Sequence, residues 1–282
     1  QPHPGFSLNL LTGEKNSRPH PLSGIDTAWT YSRNRGCNTA IASEHLLTFR
    51  SSAAGYYDLA GDGGTGNLGG FRSGCTANLI PACGVLSAPD YTRTCTCAFQ
   101  NRTSLALIHM PEVEMWTFNR YQWDGQRVRQ LGLNFGAPGD RRAASGLLWL
   151  DYPSVGGDSP DVPIKIDGET VKYFRHHPSR IIGGDLPWVA ASGIEGASSI
   201  SISLSEDAEI APRLYTVRLV FAETEHMDAG ARVFDVSLQG EPALTAFDIV
   251  GETGARDRSV IKEFSNVEAG ATLHIELTPQ RG

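Results

Sequence analysis

The side chains with the clearest chemistry include an adjacent histidine pair, His176 and His177, with His226 further along the chain. Imidazoles bind transition metals, usually together with a carboxylate and at regular spacings. Adjacent residues on a strand point to opposite faces, so the pair reaches one ion only from a loop. Asp158 and Asp161 are hard oxygen donors for calcium, but their loop does not have EF-hand spacing. The sequence therefore predicts no metal site.

Catalytic signatures are also missing. The chain contains no G-x-S-x-G, H-E-x-x-H or C-x-x-C-H motif and no recognisable Ser-His-Asp order. The carboxylate pairs Glu112/Glu114 and Glu223/Glu225 have the residue type for glycoside hydrolysis, but their i, i+2 spacing does not place them around a cleft. We predict no catalytic residue and no cofactor, although the sequence alone leaves open whether the parent protein is an enzyme.

A glycine-rich stretch, GDGGTGNLGG at 61–70, is compatible in composition with a phosphate-binding loop. A phosphate loop of that kind needs a Gly-Lys-Ser/Thr ending and a helix after it, and neither follows here. We therefore expect a flexible loop at 61–70.

All five cysteines lie in the first hundred residues. They are Cys37, Cys75, Cys83, Cys95 and Cys97. Their spacing is not that of a zinc site. Cys95 and Cys97 share one face if they lie on a strand, which favours two different partners. We expect two disulfides and one leftover thiol in an oxidising compartment, with five reduced core cysteines as the alternative.

The composition excludes several classes of protein. The 282 residues carry 24 Lys+Arg and 31 Asp+Glu, a net charge of -7, and the isoelectric point is near 5.6. Such a chain lacks the basic stripe of a nucleic-acid binder, and its four lysines are too scattered for a polybasic membrane patch. No apolar run is long enough for a membrane span. The start at Gln1 is neither an initiator Met nor a signal peptide, so we expect a processed chain or part of a longer one.

Two β-rich halves position these residues. Residues 1–130 are predicted to form short strands separated by turns, at 5–14, at 44–61 (two strands) and in the stretches CGVLSAPDYT and TSLALIHM. Residues 131–282 alternate strictly in SSISISL, LYTVRLVFAE, RVFDVSLQG and ATLHIELTP, which predicts half-buried antiparallel strands and no long helix. The aromatic residues Trp116, Tyr121 and Trp123 are expected to pack across the boundary between the halves.

The second half resembles a known family. The stretch YTVRLVFAETEHMDAGARVFDVSLQG, followed by FDIV, is similar to malectin and malectin-like carbohydrate-binding domains, and LGLNFGAPGDRRAASGLLWLDYPSVGG looks like the start of that domain. The resemblance covers roughly 131–279. It implies a jelly-roll β-sandwich that binds sugar through loops at one end.

The first half resembles a different architecture. LNLLTGE, RNRGC, GGFRSGC, PACGVLSAPDYTRTCTC and TSLALIHMP are similar to the closing part of a pyrroloquinoline-quinone-type β-propeller of planctomycete-like secreted proteins. The segment is long enough for one or two blades, so the resemblance implies that the other blades lie outside this chain or on another subunit. The cofactor-adjacent cysteine pair of such propellers is replaced by Cys95-Thr-Cys97, and quinone binding is not expected.

The malectin resemblance implies a set of sugar-binding residues. Sugars stack on flat aromatic faces, while carboxylates and amides bind their hydroxyls. The candidates by position are Trp149, Asp151, Tyr152, Tyr173, His176, Trp188 and Glu223. Phe174 and His177 lie in the same segment as Tyr173. Trp149 is as well suited to the core as to a ligand, and Glu223 is a residue of the type that pins a loop.

The sequence thus predicts an all-β chain, with propeller-blade-like antiparallel strands at 1–130 and a jelly-roll sandwich at 131–282. The expected function is a non-catalytic carbohydrate-binding or adhesion module of an extracellular or periplasmic protein, with an oligo- or polysaccharide as partner. The alternative is the C-terminal part of a larger extracytoplasmic propeller enzyme or redox protein, whose active site lies outside this chain. A scaffold whose two parts only pack against partners is the third hypothesis.

Overall fold

The computed structural model describes residues 5–72, 74, 79–89, 98–99, 103–110, 113–155, 159–226 and 228–281. It is almost entirely β-structure, as the sequence predicts. The described strands before residue 130 are short: β1 (Gly5–Phe6), β2 (Ser17–Pro19), β3 (Asp26–Ala28), β4 (Thr30–Tyr31), β5 (Ile41–Ala42), β6 (Leu46–Ser51), β7 (Ala53–Asp58), β8 (Gly64–Asn67), β9 (Ile80–Ala82), β10 (Val85–Ala88) and β11 (Leu105–Ile108).

These strands form four small antiparallel sheets. The largest is a meander in the order β5-β6-β7-β8, and β9, β10 and β11 make a three-stranded sheet. Two further pairs, β1 with β4 and β2 with β3, complete the described part of this region. The two strands predicted at 44–61 are confirmed as β6 and β7, which pair from Leu46–Asp58 to Ser51–Ala53. The strand predicted over 5–14 is wrong in length, because the chain turns back after Leu8, which bridges to Lys15.

The glycine-rich stretch at 61–70 is not a loop throughout. Residues 64–67 form β8, which pairs with β7 and is largely buried. The glycines are needed for close packing, because a Cβ on Gly66 would lie 2.4 Å from the Tyr56 ring. Composition suggested a loop because glycine usually weakens strands, whereas here it allows a backbone to approach a large aromatic side chain.

The second half supplies longer strands. They are β12 (Gly132–Phe135), β13 (Arg141–Arg142), β14 (Leu148–Tyr152), β15 (Ile164–Asp167), β16 (Lys172–Arg175), β17 (Ser192–Glu195), β18 (Ser199–Ser203), β19 (Arg213–Ala222), β20 (Val233–Leu238), β21 (Glu241–Phe247), β22 (Ser259–Ala269) and β23 (Thr272–Arg281). The four alternating stretches of the sequence correspond to β18, β19, β20 and β23. The helical turns of the described residues are a 3-10 helix (Pro178–Arg180), α1 (Pro187–Ala190) and α2 (Ile249–Thr253).

A five-stranded antiparallel sheet in the order β15-β18-β23-β20-β21 forms one layer of a sandwich. Its inner face carries Ile200, Ile202, Val236, Leu273 and Ile275, all buried. These residues alternate with outward serine, histidine and glutamate side chains, so the period of two directs the apolar face to the core.

The opposite layer is built from three separate groups of strands: β12-β14-β13, β16-β17 and β19-β22. Strands β12 and β14 are parallel, an exception to the antiparallel pairing predicted from the sequence. Leu148, Leu150 and Val217 of this layer join the core formed by the five-stranded sheet.

Residues before 130 also enter that core. Leu22, Tyr121 and Val128 are buried within it, and Trp123 packs against it. The Arg18 guanidinium carbon lies 4.6 Å from the Tyr121 ring centroid, which connects β2 to the junction segment. The predicted packing of aromatic residues between the two parts of the chain is therefore present, while the boundary at residue 130 stays a prediction.

The described residues include only two of the five cysteines, so they test the disulfide prediction in part. Cys37 and Cys83 are exposed and not bonded to another cysteine. Cys75, Cys95 and Cys97 lie outside the described residues. Because two bridges among five cysteines need at least one of Cys37 and Cys83, the structure does not show the expected pair of disulfides. In the described ranges, no helix is long and apolar enough to cross a membrane.

Candidate functional site

A pocket of about 500 Å³ opens where several loops of the sandwich meet, and we call it the tryptophan pocket. The residues that line it belong mainly to the segment before β12, to the end of β16 and the 3-10 helix, and to α1. The lining residues are Glu114, Trp116, Pro138, Arg175, His176, His177, Pro178, Trp188 and Ser192. Segments distant in sequence thus meet at one opening.

Three indole rings stack behind and along this pocket. The Trp188 ring lies edge-on to both neighbours, with its centroid 6.0 Å from Trp116 and 5.9 Å from Trp149. Trp188 follows Pro187 at the start of α1, and its side chain is buried. Trp149 and Trp188 are buried, whereas Trp116 is half-buried and available at the opening. Edge-to-face packing fixes the orientation of the ring that a ligand would meet.

A charged pair holds the tryptophans in place. The Arg141 guanidinium carbon lies 4.9 Å from the Trp188 ring centroid and 5.7 Å from that of Trp116. Its Nη1 is 3.6 Å from the Glu114 carboxylate, and the Trp116 indole donates a hydrogen bond of 3.1 Å to the same carboxylate. Burial lowers the pKa of Arg141, and Glu114 opposes this effect. The guanidinium and the carboxylate therefore neutralise each other beside the pocket.

The opposite rim is basic. Arg180 donates to Asp257 at 2.8 Å and lies 3.1 Å from His176 Nδ1, so its charge is already paired. His177 Nδ1 accepts a hydrogen bond from the Ser179 backbone and caps the 3-10 helix. Arg175 is exposed and forms no ion pair with another residue in the described part of the chain. A ligand oxygen at this rim would meet one free guanidinium and two imidazoles.

The sequence candidates fall into three places. His176 and Trp188 line the tryptophan pocket, and Trp149 lies directly behind Trp188. Tyr152 and Tyr173 form a separate aromatic pair with ring centroids 6.5 Å apart, outside the pocket lining. The Tyr173 side chain is 41% exposed, and Tyr152 packs edge-on against Phe135.

The two acidic candidates are buried and hold loops. Asp151 accepts a hydrogen bond of 2.8 Å from the Val155 backbone. Glu223 is 2% exposed, accepts from the backbone of Glu225 at 2.8 Å, and lies 3.1 Å from Arg232 Nε. In this structure both side chains therefore make contacts within the protein and do not line the pocket.

A buried carboxylate neighbours Asp151. The Asp140 side chain is fully buried and accepts hydrogen bonds from Ser159, Asn119 and the Asp151 backbone. Burial raises the pKa of Asp140 to about 7, with a further increase from the charge of Asp151. In the part of the chain that the structure describes, no three His, Cys, Asp or Glu residues lie close enough to hold a metal ion. Asp158, named above for calcium, lies outside that part.

Sequence reasoning missed most of the pocket. From the sequence, Glu114 is only one member of a carboxylate pair and Trp116 only a packing residue, and no motif marks Arg141 or Arg175. Trp116 and Glu114 carried a weak signal, since an aromatic residue and a carboxylate two positions apart share one side of an extended segment. Arg141 carried none, because its role depends on rings that come from α1 and from the segment before β12.

Comparison with known proteins supports part of the sequence interpretation. Residues 212–278 match the family model of the Malectin domain. This match runs from β19 into β23 and includes the stretch from YTVRLVFAE to FDIV, whereas the stretch at 131–157 that also resembles the family lies outside it. No curated protein matches the chain significantly.

Solved structures with related arrangements include a β-glucuronidase of Bacteroides uniformis, with 16% identity, a TM-score of 0.41, and coverage of 70% of this chain and 21% of that chain. Bacteroides uniformis β-glucuronidase 2 has 14% identity, a TM-score of 0.42, and coverage of 87% and 26%. The ANXUR2 extracellular domain of Arabidopsis thaliana has 17% identity, a TM-score of 0.34, and coverage of 54% and 43%. The chain thus spans about a quarter of the glucuronidases, and at these TM-scores the likeness assigns no function. No comparison supports the quinone-type propeller expected at 1–130.

Proposed function

We propose that this chain is a non-catalytic carbohydrate-binding module of an exported protein, and that it binds an oligo- or polysaccharide in the tryptophan pocket. The observation that carries the proposal is the arrangement at that pocket. The half-buried Trp116 ring is held edge-on to Trp188, beside the Glu114 carboxylate and opposite Arg175 and the two histidines. The Malectin match at 212–278 supports the same class of function.

The geometry suits sugar recognition for a physical reason. A pyranose presents an apolar C–H face and a rim of hydroxyl groups. An indole offers a flat surface to the first, and charged side chains make strong hydrogen bonds to the second. Trp116 supplies the flat surface, and Arg175, His176 and His177 supply donors at the rim. The Arg141–Glu114 pair keeps the ring oriented before the ligand arrives, which reduces the entropy cost of binding.

The test is a glycan array followed by titration calorimetry of the full chain with each glycan that scores. Trp116→Ala and Arg175→Gln are expected to weaken binding about tenfold or more, since each loses roughly one good contact. Arg35→Gln, an exposed arginine outside the pocket lining, is the matched control and should bind as the unaltered chain does. If the folded chain binds no glycan at millimolar concentration, or if Trp116→Ala and Arg175→Gln bind unchanged, the proposal is wrong.

A further inference from the structure

A second cavity, of about 1370 Å³, is a gap in the second layer of the sandwich, which we call the interstrand slot. Two of its sides are lined by runs of consecutive residues, 128–135 on one side and 213–222 on the other. Its floor is lined only by alternate residues, among them Ile200, Ile202 and Leu204 of the β18 region and Leu273, Ile275 and Leu277 of β23. Alternate residues are those on one face of a strand, while consecutive residues line a cavity from a strand's edge.

The strand edges that face the slot have no neighbouring strand in the described chain, although the Tyr215 hydroxyl donates to the Val128 carbonyl at one end and the amides of 128–130 bond to Leu204 and Leu22. Among the residues that the structure describes, β12 pairs only with β14, β17 only with β16, and β19 only with β22. Within the described ranges, no backbone hydrogen bond joins 129–135 or 192–198 to 213–222. Backbone N–H and C=O groups on such edges are free to pair with another strand, which is why natural proteins usually cover them.

The side chains around the slot are incompletely covered. Leu133, Ile194, Leu219 and Phe221 pack against the core cluster but remain only partly buried. The floor residues Ile200, Ile202 and Leu204, in contrast, are buried. An additional strand lying on the floor would bury this remaining apolar surface with the side chains of one of its faces.

The charges around the slot favour an acidic occupant. Arg218 pairs with Glu263, and Arg232 pairs with Glu195. The other charged residues of the lining are mostly cationic: Arg129, Lys172, Arg213 and Arg281 against Glu169. Lys172, Arg213 and Arg281 form no ion pair with another residue of the described chain. Carboxylates on the solvent side of an inserted strand would meet this excess positive charge.

We propose that the interstrand slot receives one extended segment of a partner polypeptide, which adds a strand beside β19. The segment carries apolar side chains at alternate positions, directed to the floor, and acidic side chains between them, directed to the solvent and the basic rim. Main-chain hydrogen bonds to the free edges supply affinity, and the alternation supplies specificity. This site is separate from the tryptophan pocket and does not depend on its function.

The first test uses the full chain and four synthetic peptides, followed by fluorescence anisotropy. The probe is the alternating acetylated amide EVEVEVEVE. Its controls are a permuted peptide of the same composition, the lysine analogue KVKVKVKVK, and the probe with every second backbone nitrogen methylated. We expect each control to bind about tenfold or more weakly than the probe, since each removes alternation, charge complementarity or backbone donors. Absence of binding at millimolar probe, or equal binding of the probe and its methylated form, overturns the proposal.

The second test places the peptide. Leu219→Glu puts a carboxylate at the slot and should lower probe affinity at least about tenfold, while Leu68→Glu, an exposed leucine outside the lining, should leave it unchanged. Circular dichroism checks that each variant folds. If Leu219→Glu does not fold, the comparison of the probe with its methylated form tests the proposal instead. A second copy of this chain is the other possible occupant, and light scattering tests it. If the chain forms a dimer that the probe dissociates, the slot binds a second copy and the partner proposal is wrong.

Discussion

The guanidinium carbon of Arg141 lies 4.9 Å from the ring centroid of Trp188. The arginine forms part of β13, whereas the tryptophan is the second residue of α1, so the contact joins two separate elements at the tryptophan pocket. Arg141 also contacts the Trp116 ring and the Glu114 carboxylate. A single cation thereby orders both rings on which the proposed sugar site depends.

Arg141→Gln is expected to lower the free energy of unfolding by about 1–2 kcal/mol, because a partly desolvated cation–π contact and an ion pair are lost together. Urea denaturation measures this change. Glycan affinity should fall as well, since the Trp116 ring loses its support. Arg141→Lys restores the charge but not the planar stacking, and we expect it to recover only part of the loss. Full recovery by lysine would contradict the stacking role.

The pH dependence of the unfolding free energy should reflect the titration of the buried Asp140 carboxyl. Its pKa is raised in the folded protein from an unfolded value near 4 to about 7, so the folded state binds the proton more tightly. The stabilisation is complete below the unfolded pKa and is lost as the pH rises from about 4 to about 7. We expect Asp140→Asn to flatten this decline in unfolding free energy, measured by denaturation at a series of pH values.

The control for that experiment is Asp167→Asn. Asp167 is exposed, and its pKa is lowered by hydrogen bonds from Lys165 and Ser199. Its contribution is present above the unfolded pKa and is lost only as the pH falls through the folded value. The slope between pH 4 and pH 7 should therefore match that of the unaltered chain. If Asp167→Asn also flattened the decline in unfolding free energy between pH 4 and pH 7, that decline could not be assigned to Asp140.

Glu223 and Glu263 offer a matched pair for the energetics of ion pairs. Glu223 has a 1% exposed side chain facing Arg232, whereas Glu263 has a 48% exposed side chain facing Arg218. We expect Glu223→Ala to cost about 3 kcal/mol, because Arg232 loses the most buried of its three carboxylate partners and two backbone amides lose their acceptor. Glu263→Ala should cost less than about 1 kcal/mol. Thermal and urea unfolding compare them, and equal costs would contradict the structural role of Glu223.

Gly66 tests the packing of β8. A Cβ at this position meets the Tyr56 ring at 2.4 Å, so Gly66→Ala is expected to destabilise the chain by about 1–3 kcal/mol. Gly270→Ala is the control, since its nearest contact is the Ile210 carbonyl at an ordinary 3.5 Å. Urea denaturation of both variants gives the comparison. If Gly66→Ala were as stable as Gly270→Ala, residues 64–67 would be a loop, as composition alone suggests.

Cys37 and Cys83 are predicted to react with a thiol reagent in the folded, unreduced protein, because both are exposed and unbonded. Peptide mapping by mass spectrometry after alkylation without reductant identifies the labelled residues. A mapped bridge at either cysteine would instead support the two disulfides expected from the sequence.

Much of the second half follows from local patterning. Ile200 and Ile202 alternate with serines, and a strand places alternate residues on one face, so the burial of these isoleucines is predictable from residue order. Strand β22 is not predictable in the same way, because its apolar residues Val260, Ile261 and Phe264 do not keep a period of two. Its partner β19 decides its conformation through a ladder that contains a bulge near Tyr215. The pairing of two distant segments cannot be predicted from the residue pattern of either segment alone.

The sequence by itself determined the all-β class, the inward faces of β18, β19 and β23, and the resemblance that the Malectin match at 212–278 supports. These properties depend on the identity and alternation of neighbouring residues. Only the tertiary structure decided that Trp188 meets Trp116 and Arg141, and that β12 and β19 face each other across an open slot. Both features arise between segments far apart in the chain, where the packing of whole layers, and not local preference, sets which side chains and strand edges meet.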